Sequence, residues 1–272
     1  MKTRIISGAV AIVILVAALI VNSYYPITIV IALSILSALA SYEMLHNTGC
    51  VKRMTPVVAA MIYSAAVQFS YKGLFLDVEL ITVFYALFVV LLALFRHKTF
   101  GAEQIIMSLS MPVILSYGFS TFEKILNFSD GHGLFYFILL VNFSSISDCF
   151  AYFVGIAIGK HKLAPVISPK KTIEGSIGGV VGSLIGTLVI CLIFNKITGY
   201  TANLWLLLGV TPFFSVVGMM GDLFMSAIKR DFSIKDYGKL IPGHGGVLDR
   251  LDSLLLVAPV MSLLLTYAEV VL

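Results

Sequence analysis

Long apolar runs separated by short polar segments dominate the pattern of this chain. Measured against the roughly 20 residues that an α-helix needs to cross a bilayer, the runs predict nine membrane-spanning helices. The predicted spans are residues 5–21, 27–45, 56–71, 78–95, 105–122, 134–159, 175–194, 203–228 and 252–271. The third run is short and the fifth contains Pro112 and Gly118, so eight spans or one half-inserted segment remain open. The predicted fold class is all-α, a polytopic integral membrane protein.

Composition and charge agree with this class. The chain is 59% hydrophobic and 12% charged, with a mean hydropathy of +1.02, which excludes an ordinary soluble protein. With the N-terminus inside, the inner segments hold 15 of the 18 Lys and Arg residues, and only Lys72, Lys124 and Lys196 lie outside. Positive short loops stay cytoplasmic, so this split predicts a cytoplasmic N-terminus and supports nine spans. The net charge of +4 then reflects topology, and we expect no nucleic-acid partner.

Two inner loops, residues 160–174 and 229–251, are longer and more polar than the others. We expect the function to reside there. Both lie in the second half of the chain, so we predict a scaffold of about five helices over residues 1–130. A catalytic membrane region of about four helices and the two loops is predicted over residues 131–272.

The first loop reads KHKLAPVISPKKTIEG and ends at a predicted helix start. Lys170 and Lys171 precede that start, where the helix dipole adds partial positive charge, so a phosphate site is one interpretation. A positive-inside anchor with a helix cap is the other. The following helix carries Gly178, Gly182 and Gly186 at steps of four, which predicts close helix packing.

Two aspartates are predicted to lie inside the membrane, each on a polar helix face. The sixth span carries one face, formed by Ser144, Asp148, Ala151, Gly155 and Gly159. The eighth span carries the other, formed by Thr211, Ser215, Gly218, Asp222, Ser226 and Lys229. A carboxylate at that depth costs ~2.5–3.5 kcal/mol on insertion scales, so each aspartate predicts a partner or a wet cavity. A structural hydrogen bond for Asp148 and helix–helix contact for the second face are the alternatives.

The second loop combines glycines with charged side chains in the run PGHGGVLDRLD, residues 242–252. Gly245 and Gly246 allow backbone amides to approach an anion closely, as phosphate sites require. Asp249 and Asp252 lie three apart at the start of the ninth span, which predicts that their carboxylates share a face. The helix dipole alone also favours acidic residues there. Carboxylates beside cationic side chains suit a magnesium ion that holds a polyphosphate.

The order of these positions is similar to the signature of a known family. From Ser226 to Asp252 the chain follows S-x-x-K-R-x-x-x-x-K-D-x-G-x-x-x-P-x-H-G-G-x-x-D-R-x-D. This pattern resembles the hallmark motif of the phosphatidate cytidylyltransferases, also called CDP-diacylglycerol synthases. The stretches SDCFAYFVG at 147–155 and SPKKTIEG at 168–175 resemble other recurrent segments of that family. The motifs cover about the second half of the chain, whereas the first helices resemble the family only in hydropathy and position.

The resemblance implies transfer of a cytidylyl group from CTP to phosphatidate, forming CDP-diacylglycerol and pyrophosphate, with Mg²⁺ as cofactor. It also implies a homodimer. We expect a phosphatidate oxygen to attack the α-phosphorus in line, because this oxygen is already ionised and no protein nucleophile is needed. Cations must offset the repulsion between the two phosphates.

These roles can be assigned to residues as a hypothesis. The predicted ligands of one or two cations are Asp222, Asp249, Asp252 and Asp148. The predicted phosphate contacts are Lys170, Lys171, Lys229, Arg230, and the amides of Gly245 and Gly246. Arg250 is expected to neutralise the leaving group. His244 keeps three open roles, as a ligand, a phosphate donor or a turn residue.

Two other functions stay open from the sequence. A CTP-dependent lipid-alcohol kinase would use similar loops but would transfer the γ-phosphoryl group. An ion-coupled transporter would use Asp148 and Asp222 at mid-depth, although it would not need the GHGG loop. The short chain without an appended cytosolic domain favours a bacterial inner membrane, with the active site facing the cytoplasm.

Overall fold

Helices form nearly all of the regular structure, as the hydropathy pattern predicts. The computed structural model describes residues 2–71, 73 and 76–272, without the side chains of residues 2–5. Lys72, which the sequence assigns to the outer side, is outside the described residues. The helices are α1 (Lys2–Tyr24), α2 (Ile27–Tyr42), α3 (Met54–Tyr71), α4 (Val78–Phe95), α5 (Ala102–Leu126), α6 (Gly133–Val141), α7 (Ser147–Ile158), α8 (Ile173–Thr198), α9 (Leu204–Asp231), α10 (Leu248–Leu251) and α11 (Leu254–Tyr267).

Two π-helical turns extend or join these helices. The first, Glu43–Asn47, continues α2, and the second, Asn142–Ile146, joins α6 to α7. The segment Gly133–Ile158 is therefore continuous, as the sixth predicted span requires. Such π-helical turns occur often at functional sites. Here one carries Glu43 and the other ends two residues before Asp148.

Within the residues that the structure describes, seven segments are long and apolar enough to cross a bilayer, which confirms the all-α polytopic class. These segments are Ile6–Tyr24, Ile27–Asn47, Val78–Phe95, Ala102–Leu126, Gly133–Ile158, Ile173–Thr198 and Leu204–Asp231. Helices α3 and α11, with 18 and 14 residues, match the third and ninth predicted runs but are not among the seven. The count of nine spans and the cytoplasmic N-terminus stay predictions.

A short β-hairpin occupies the first polar loop, for which the sequence predicted no strand. Strand β1 (Lys162–Ala164) pairs antiparallel with β2 (Ser168–Thr172). The base of the hairpin is closed by Glu174, whose carboxylate accepts hydrogen bonds from the backbone N–H groups of Lys160 and His161. Thr172 caps α8, because its hydroxyl accepts the N–H of Gly175 at 3.1 Å. Lys170 and Lys171 thus both lie on strand β2, next to the start of α8.

The chain forms two compact units. Unit 1 comprises Met1–Glu123 and Asp231–Leu251, and unit 2 comprises Lys124–Arg230 and Asp252–Leu272. The division at residue 130 between a scaffold and a catalytic region stays a prediction. In unit 1 an apolar core includes Val57, Val67 and Val89, and Tyr63 stacks on Tyr85 with ring centroids 4.3 Å apart.

In unit 2, small residues bring helices α7 and α8 close together. Gly178, Gly182 and Gly186 lie against Val154, Phe150 and Asn142, respectively. A Cβ atom at any of the three would overlap its neighbour, so the predicted packing role is confirmed. These contacts lie within one chain.

Candidate active site

The polar face of α9 lies inside unit 2, as the spacing of its residues predicts. Thr211 and Ser215 are fully buried, and Ser226 and Lys229 are each 8% exposed. Thr211 exchanges a hydrogen bond of 2.9 Å with Thr187 of α8, so the N-terminal end of this face contacts a neighbouring helix. The charged residues lie toward the other end. The face therefore combines the two roles that the sequence left open, helix contact and a candidate site.

Lys171 and Asp222 form an ion pair at this charged end. The Nζ atom of Lys171 lies 2.5 Å from Oδ2 of Asp222, and Ser226 donates a hydrogen bond of 3.3 Å to Oδ1. The strand β2 explains why Lys171 turns inward, since neighbouring strand residues point to opposite faces. Lys170 is exposed. The structure thus separates two lysines that the sequence had treated as one phosphate site.

Asp148 and Asp252 complete a group of three interacting carboxylates, here called the acidic cluster (Asp148, Asp222 and Asp252). Asp148 interacts electrostatically with Lys171 and Asp222 and forms a side-chain hydrogen bond with Ser253. Asp252 lies in the turn between α10 and α11, outside the seven candidate membrane-spanning segments. Burial, with the negative charge of Asp222 adding to it, raises the pKa of Asp252 to about 7. A buried carboxyl group beside another negative charge is stabilised when it shares a proton or when a cation lies nearby.

Close backbone packing allows the Asp252 turn to approach α9. A Cβ atom at Gly221 would lie 3.0 Å from the carbonyl oxygen of Asp252 and 3.1 Å from Cα of Ser253. Ser253 also exchanges a hydrogen bond of 2.7 Å with Ser144, which ties the turn to the π-helical turn before α7. The acidic cluster is therefore held by three separate segments of unit 2.

Two further cations predicted for the site lie at the end of α9. Lys229 is buried and interacts electrostatically with both Asp222 and Asp252. Arg230 is exposed, and its Nε donates a hydrogen bond of 3.2 Å to the carbonyl oxygen of Ile167 in the hairpin. Lys229 thus belongs to the acidic cluster, whereas Arg230 holds the hairpin.

The donor set of the acidic cluster is consistent with magnesium that a substrate completes. Carboxylate oxygens are the ligands that Mg²⁺ prefers, and the ion is usually held by one or two of them together with substrate phosphates. Across residues 2–71, 73 and 76–272, no three or more His, Cys, Asp or Glu side chains converge as a ready metal set. The Lys171 ammonium already supplies positive charge at Asp222. The three aspartates of the acidic cluster are thus no preformed metal cage, but a two-carboxylate site that a substrate completes fits them.

The glycine loop, defined as residues 237–249, lies in unit 1. Gly243 and Gly245 have φ values of 79° and 91°, in the left-handed region that glycine adopts at little cost. The N–H groups of Ile241 and His244 donate to the carbonyl oxygens of Gly245 and Ile241, both at 2.9 Å. The loop is therefore a tight, internally bonded turn, and its glycines are needed for its own geometry.

Asp249 has a structural task in this loop. Its Oδ2 accepts the N–H of Tyr237 at 2.8 Å and the N–H of Gly246 at 3.0 Å. The second bond uses one of the two amides that the sequence predicted to face a phosphate. Asp249 lies in the single turn α10, whereas Asp252 follows that turn. The sequence had predicted that Asp249 and Asp252 share one helix face. This prediction is wrong, because α10 ends before Asp252.

His244 and Arg250 have different environments. The Nδ1 of His244 lies 2.8 Å from the hydroxyl oxygen of Ser7, which donates a 2.9 Å hydrogen bond to the carbonyl oxygen of Pro242. These contacts match the turn-residue role among the three that the sequence left open. Arg250 is exposed on α10.

Sequence reasoning missed Glu43, which is 3% exposed. Its two carboxylate oxygens accept the N–H groups of Val247 and Leu248 at 3.0 and 2.9 Å. The signal was present, because Glu43 is an ionisable residue at the inner end of the second predicted span. Its partner segment lies 204 residues away in sequence, which no periodicity reveals.

The fold and the site define a polytopic α-helical membrane protein with an acidic, lysine-paired cluster in its C-terminal half. The model of the cytidylyltransferase family matches residues 2–268, so the chain belongs to that family. It is 44% identical over 133 residues to a phosphatidate cytidylyltransferase of Staphylococcus aureus, covering 49% of this chain and 50% of the relative. It is 46% identical over 138 residues to that of Staphylococcus haemolyticus, covering 50% of each. The chain thus spans about half the length of the curated relatives that it matches.

Proposed function

We propose that this protein transfers the cytidylyl group of CTP to phosphatidate, releasing pyrophosphate and forming CDP-diacylglycerol. The observation that carries the proposal is the acidic cluster, with Lys171 bound to Asp222 and Lys229 beside it. A nucleotide triphosphate needs such a combination of carboxylates for a metal and ammonium groups for phosphates. Family membership and the names of the relatives support the same reaction.

In the proposed reaction, an anionic oxygen of phosphatidate attacks the α-phosphorus of CTP. The bond from that phosphorus to the oxygen bridging toward the β-phosphorus breaks, and pyrophosphate leaves with the bonding electrons. No proton has to be removed from the nucleophile, so the chain's task is to orient two anions and offset their repulsion. Lys171 and Lys229 are the buried or half-buried cations suited to this, and exposed Lys170, Arg230 and Arg250 are candidates for outer phosphate contacts.

Magnesium would be held by Asp222 and Asp252, with Asp148 supporting them. When bound, the ion supplies charge neutralisation at the triphosphate. Asp249 was predicted as a further ligand, but its hydrogen bonds to two loop amides favour a role in shaping the glycine loop. The amide of Gly245 remains a candidate phosphate donor.

The setting follows from the same chemistry. CTP is water-soluble and phosphatidate is a membrane lipid, so we propose that the polar loops face the cytoplasm at a bacterial inner membrane. The distribution of Lys and Arg residues along the sequence supports this orientation. A homodimer is expected from the family resemblance, and chemical cross-linking in membranes at low protein density would test it.

The deciding experiment uses purified protein in mixed micelles with phosphatidate, Mg²⁺ and CTP. Label at the α-phosphorus is expected to enter the organic extract with the wild-type protein and to be lost with Asp222→Ala. Label at the γ-phosphorus is expected to stay in water. Entry of the γ-label into lipid would instead establish a lipid kinase. Neither label in lipid, with folded protein, would overturn the proposal.

A further inference from the structure

The π-helical turn that continues α2 makes a set of contacts with the glycine loop that the reaction described above does not use. Glu43 is the first residue of the π-helical turn, and both of its carboxylate oxygens accept backbone N–H groups at the start of α10. One turn later, Asn47 donates from Nδ2 to the carbonyl oxygen of Tyr237 at 2.8 Å. The π-helical turn therefore contacts both ends of the loop.

Two glycines of the loop make room for the Glu43 carboxylate. A Cβ atom at Gly238 would lie 2.5 Å from Oε1 of Glu43, and one at Gly246 would overlap the carboxylate itself. Neither glycine has a positive φ, so backbone conformation alone would permit alanine at both positions. The absence of a side chain at these positions is thus explained by the close approach of Glu43.

The loop is folded around two carboxylates from different parts of the chain. Asp249 binds the N–H groups of Tyr237 and Gly246 from within the loop, and Glu43 binds the next two, those of Val247 and Leu248, from the π-helical turn. Three consecutive amides are thereby oriented by carboxylate oxygens. Hydrogen bonds donated to a charged acceptor are about twice as strong as neutral ones, and the two that Glu43 accepts are buried.

We propose that Glu43 and Asn47 are positioning residues for the transfer reaction, which hold the glycine loop in its active conformation. The inference rests on the proposed cytidylyl transfer. Neither residue needs to touch CTP or phosphatidate. A shift of about 1 Å in a loop that orients reacting groups can lower the rate about 100-fold.

The test compares Glu43→Gln with the wild-type protein in two measurements. Glutamine keeps the shape and one acceptor oxygen, but its NH₂ group faces a backbone donor, so one of the two amides loses its partner. Hydrogen exchange followed by mass spectrometry is expected to accelerate at least about tenfold within residues 247–248. The kcat/KM for CTP is expected to fall roughly 10- to 100-fold. Asn47→Ala is expected to cost about 2- to 10-fold, as for one neutral hydrogen bond.

A purely structural role would give a different pattern. Loss of overall stability would lower the active fraction and leave both KM values unchanged, whereas loss of positioning changes kcat and the KM for CTP but leaves the KM for phosphatidate unchanged. Glu103→Gln is the matched control, because Glu103 is exposed in the first turn of α5. It is expected to change neither exchange nor activity.

A second pair of variants tests the contact from the other side. Gly246→Ala inserts a methyl group where the Glu43 carboxylate lies, and Glu43→Asp shortens that side chain by one methylene. The double variant is expected to be at least about threefold more active than Gly246→Ala alone, because residues in contact are not additive. If the activity losses of Gly246→Ala and Glu43→Asp simply add in the double variant, the contact between the two residues is not the cause of the Gly246→Ala defect.

The remaining outcomes are decisive as well. Lost activity with unchanged exchange would make Glu43 a direct participant and overturn positioning. Faster exchange with full activity would show that loop order is not needed, which also overturns it. A wild-type protein that transfers no α-label would sink the proposed function and the catalytic half of this inference, while the exchange data would still decide whether Glu43 holds the loop.

Discussion

The ammonium nitrogen of Lys171 lies 2.5 Å from Oδ2 of Asp222, and the two side chains are 21% and 24% exposed. Strand β2 thereby places the ammonium group of Lys171 next to the carboxylate of Asp222 on α9. The neighbouring Lys170 points to the opposite face of the strand. This relationship separates residues that are adjacent in sequence, and it leads directly to the first prediction.

Lys171→Ala is expected to be far more damaging than Lys170→Ala. Lys171 is the cation paired with Asp222 in the proposed site, whereas Lys170 is exposed and lies outside the acidic cluster. We expect kcat/KM for cytidylyl transfer to fall about 100-fold for Lys171→Ala and less than about threefold for Lys170→Ala. Transfer of α-label into lipid measures both. Equal losses would mean that the two lysines act together.

The acidic cluster predicts a changed magnesium requirement. Asp222→Asn and Asp252→Asn are each expected to raise the Mg²⁺ concentration for half-maximal activity at least about tenfold, because each removes a charged oxygen ligand. Asp231→Asn, which alters an exposed aspartate at the end of α9, serves as the control. An unchanged Mg²⁺ dependence with reduced kcat would remove the metal role from these residues.

Packing between α7 and α8 predicts a stability difference between two glycines. Gly182→Ala pushes a methyl group into the ring of Phe150 and is expected to destabilise the protein by ~1–3 kcal/mol. Gly209→Ala lies in open space on α9 and is expected to be neutral or stabilising by up to ~1 kcal/mol. Thermal unfolding in detergent should rank the variants in this order. A destabilised Gly209→Ala protein would contradict the packing explanation.

The contact between His244 and Ser7 predicts a modest effect at the histidine. A general acid or base contributes about 10²- to 10⁴-fold, whereas one neutral hydrogen bond contributes less than about tenfold. We expect His244→Ala and Ser7→Ala to lower kcat/KM by similar amounts below tenfold, and the double variant to be no worse than either. A loss above 100-fold for His244→Ala alone would assign it to the chemistry.

Much of this protein could be predicted from local patterns. Apolar runs near bilayer length predicted the helices, because a chain in hydrocarbon must satisfy its backbone hydrogen bonds within each segment. Spacing of three and four placed Asp222, Ser226 and Lys229 on one face, and all three belong to the candidate site. Family membership followed the order of charged and glycine positions around GHGG. Each of these signals is contained in residues close together along the chain.

Only the tertiary structure decided which of these residues meet. The sequence predicted that Lys170 and Lys171 act together and that the amide of Gly246 binds phosphate. In the structure, Lys170 is exposed and Lys171 pairs with Asp222, although both lie on strand β2. The N–H group of Gly246 donates to Asp249 instead. The sequence assigned nothing to Glu43, whose partner Leu248 is 205 residues away. Helical and strand periodicity arise from neighbouring backbone geometry and are therefore readable from sequence, whereas a buried carboxylate finds its donors only when distant segments pack together.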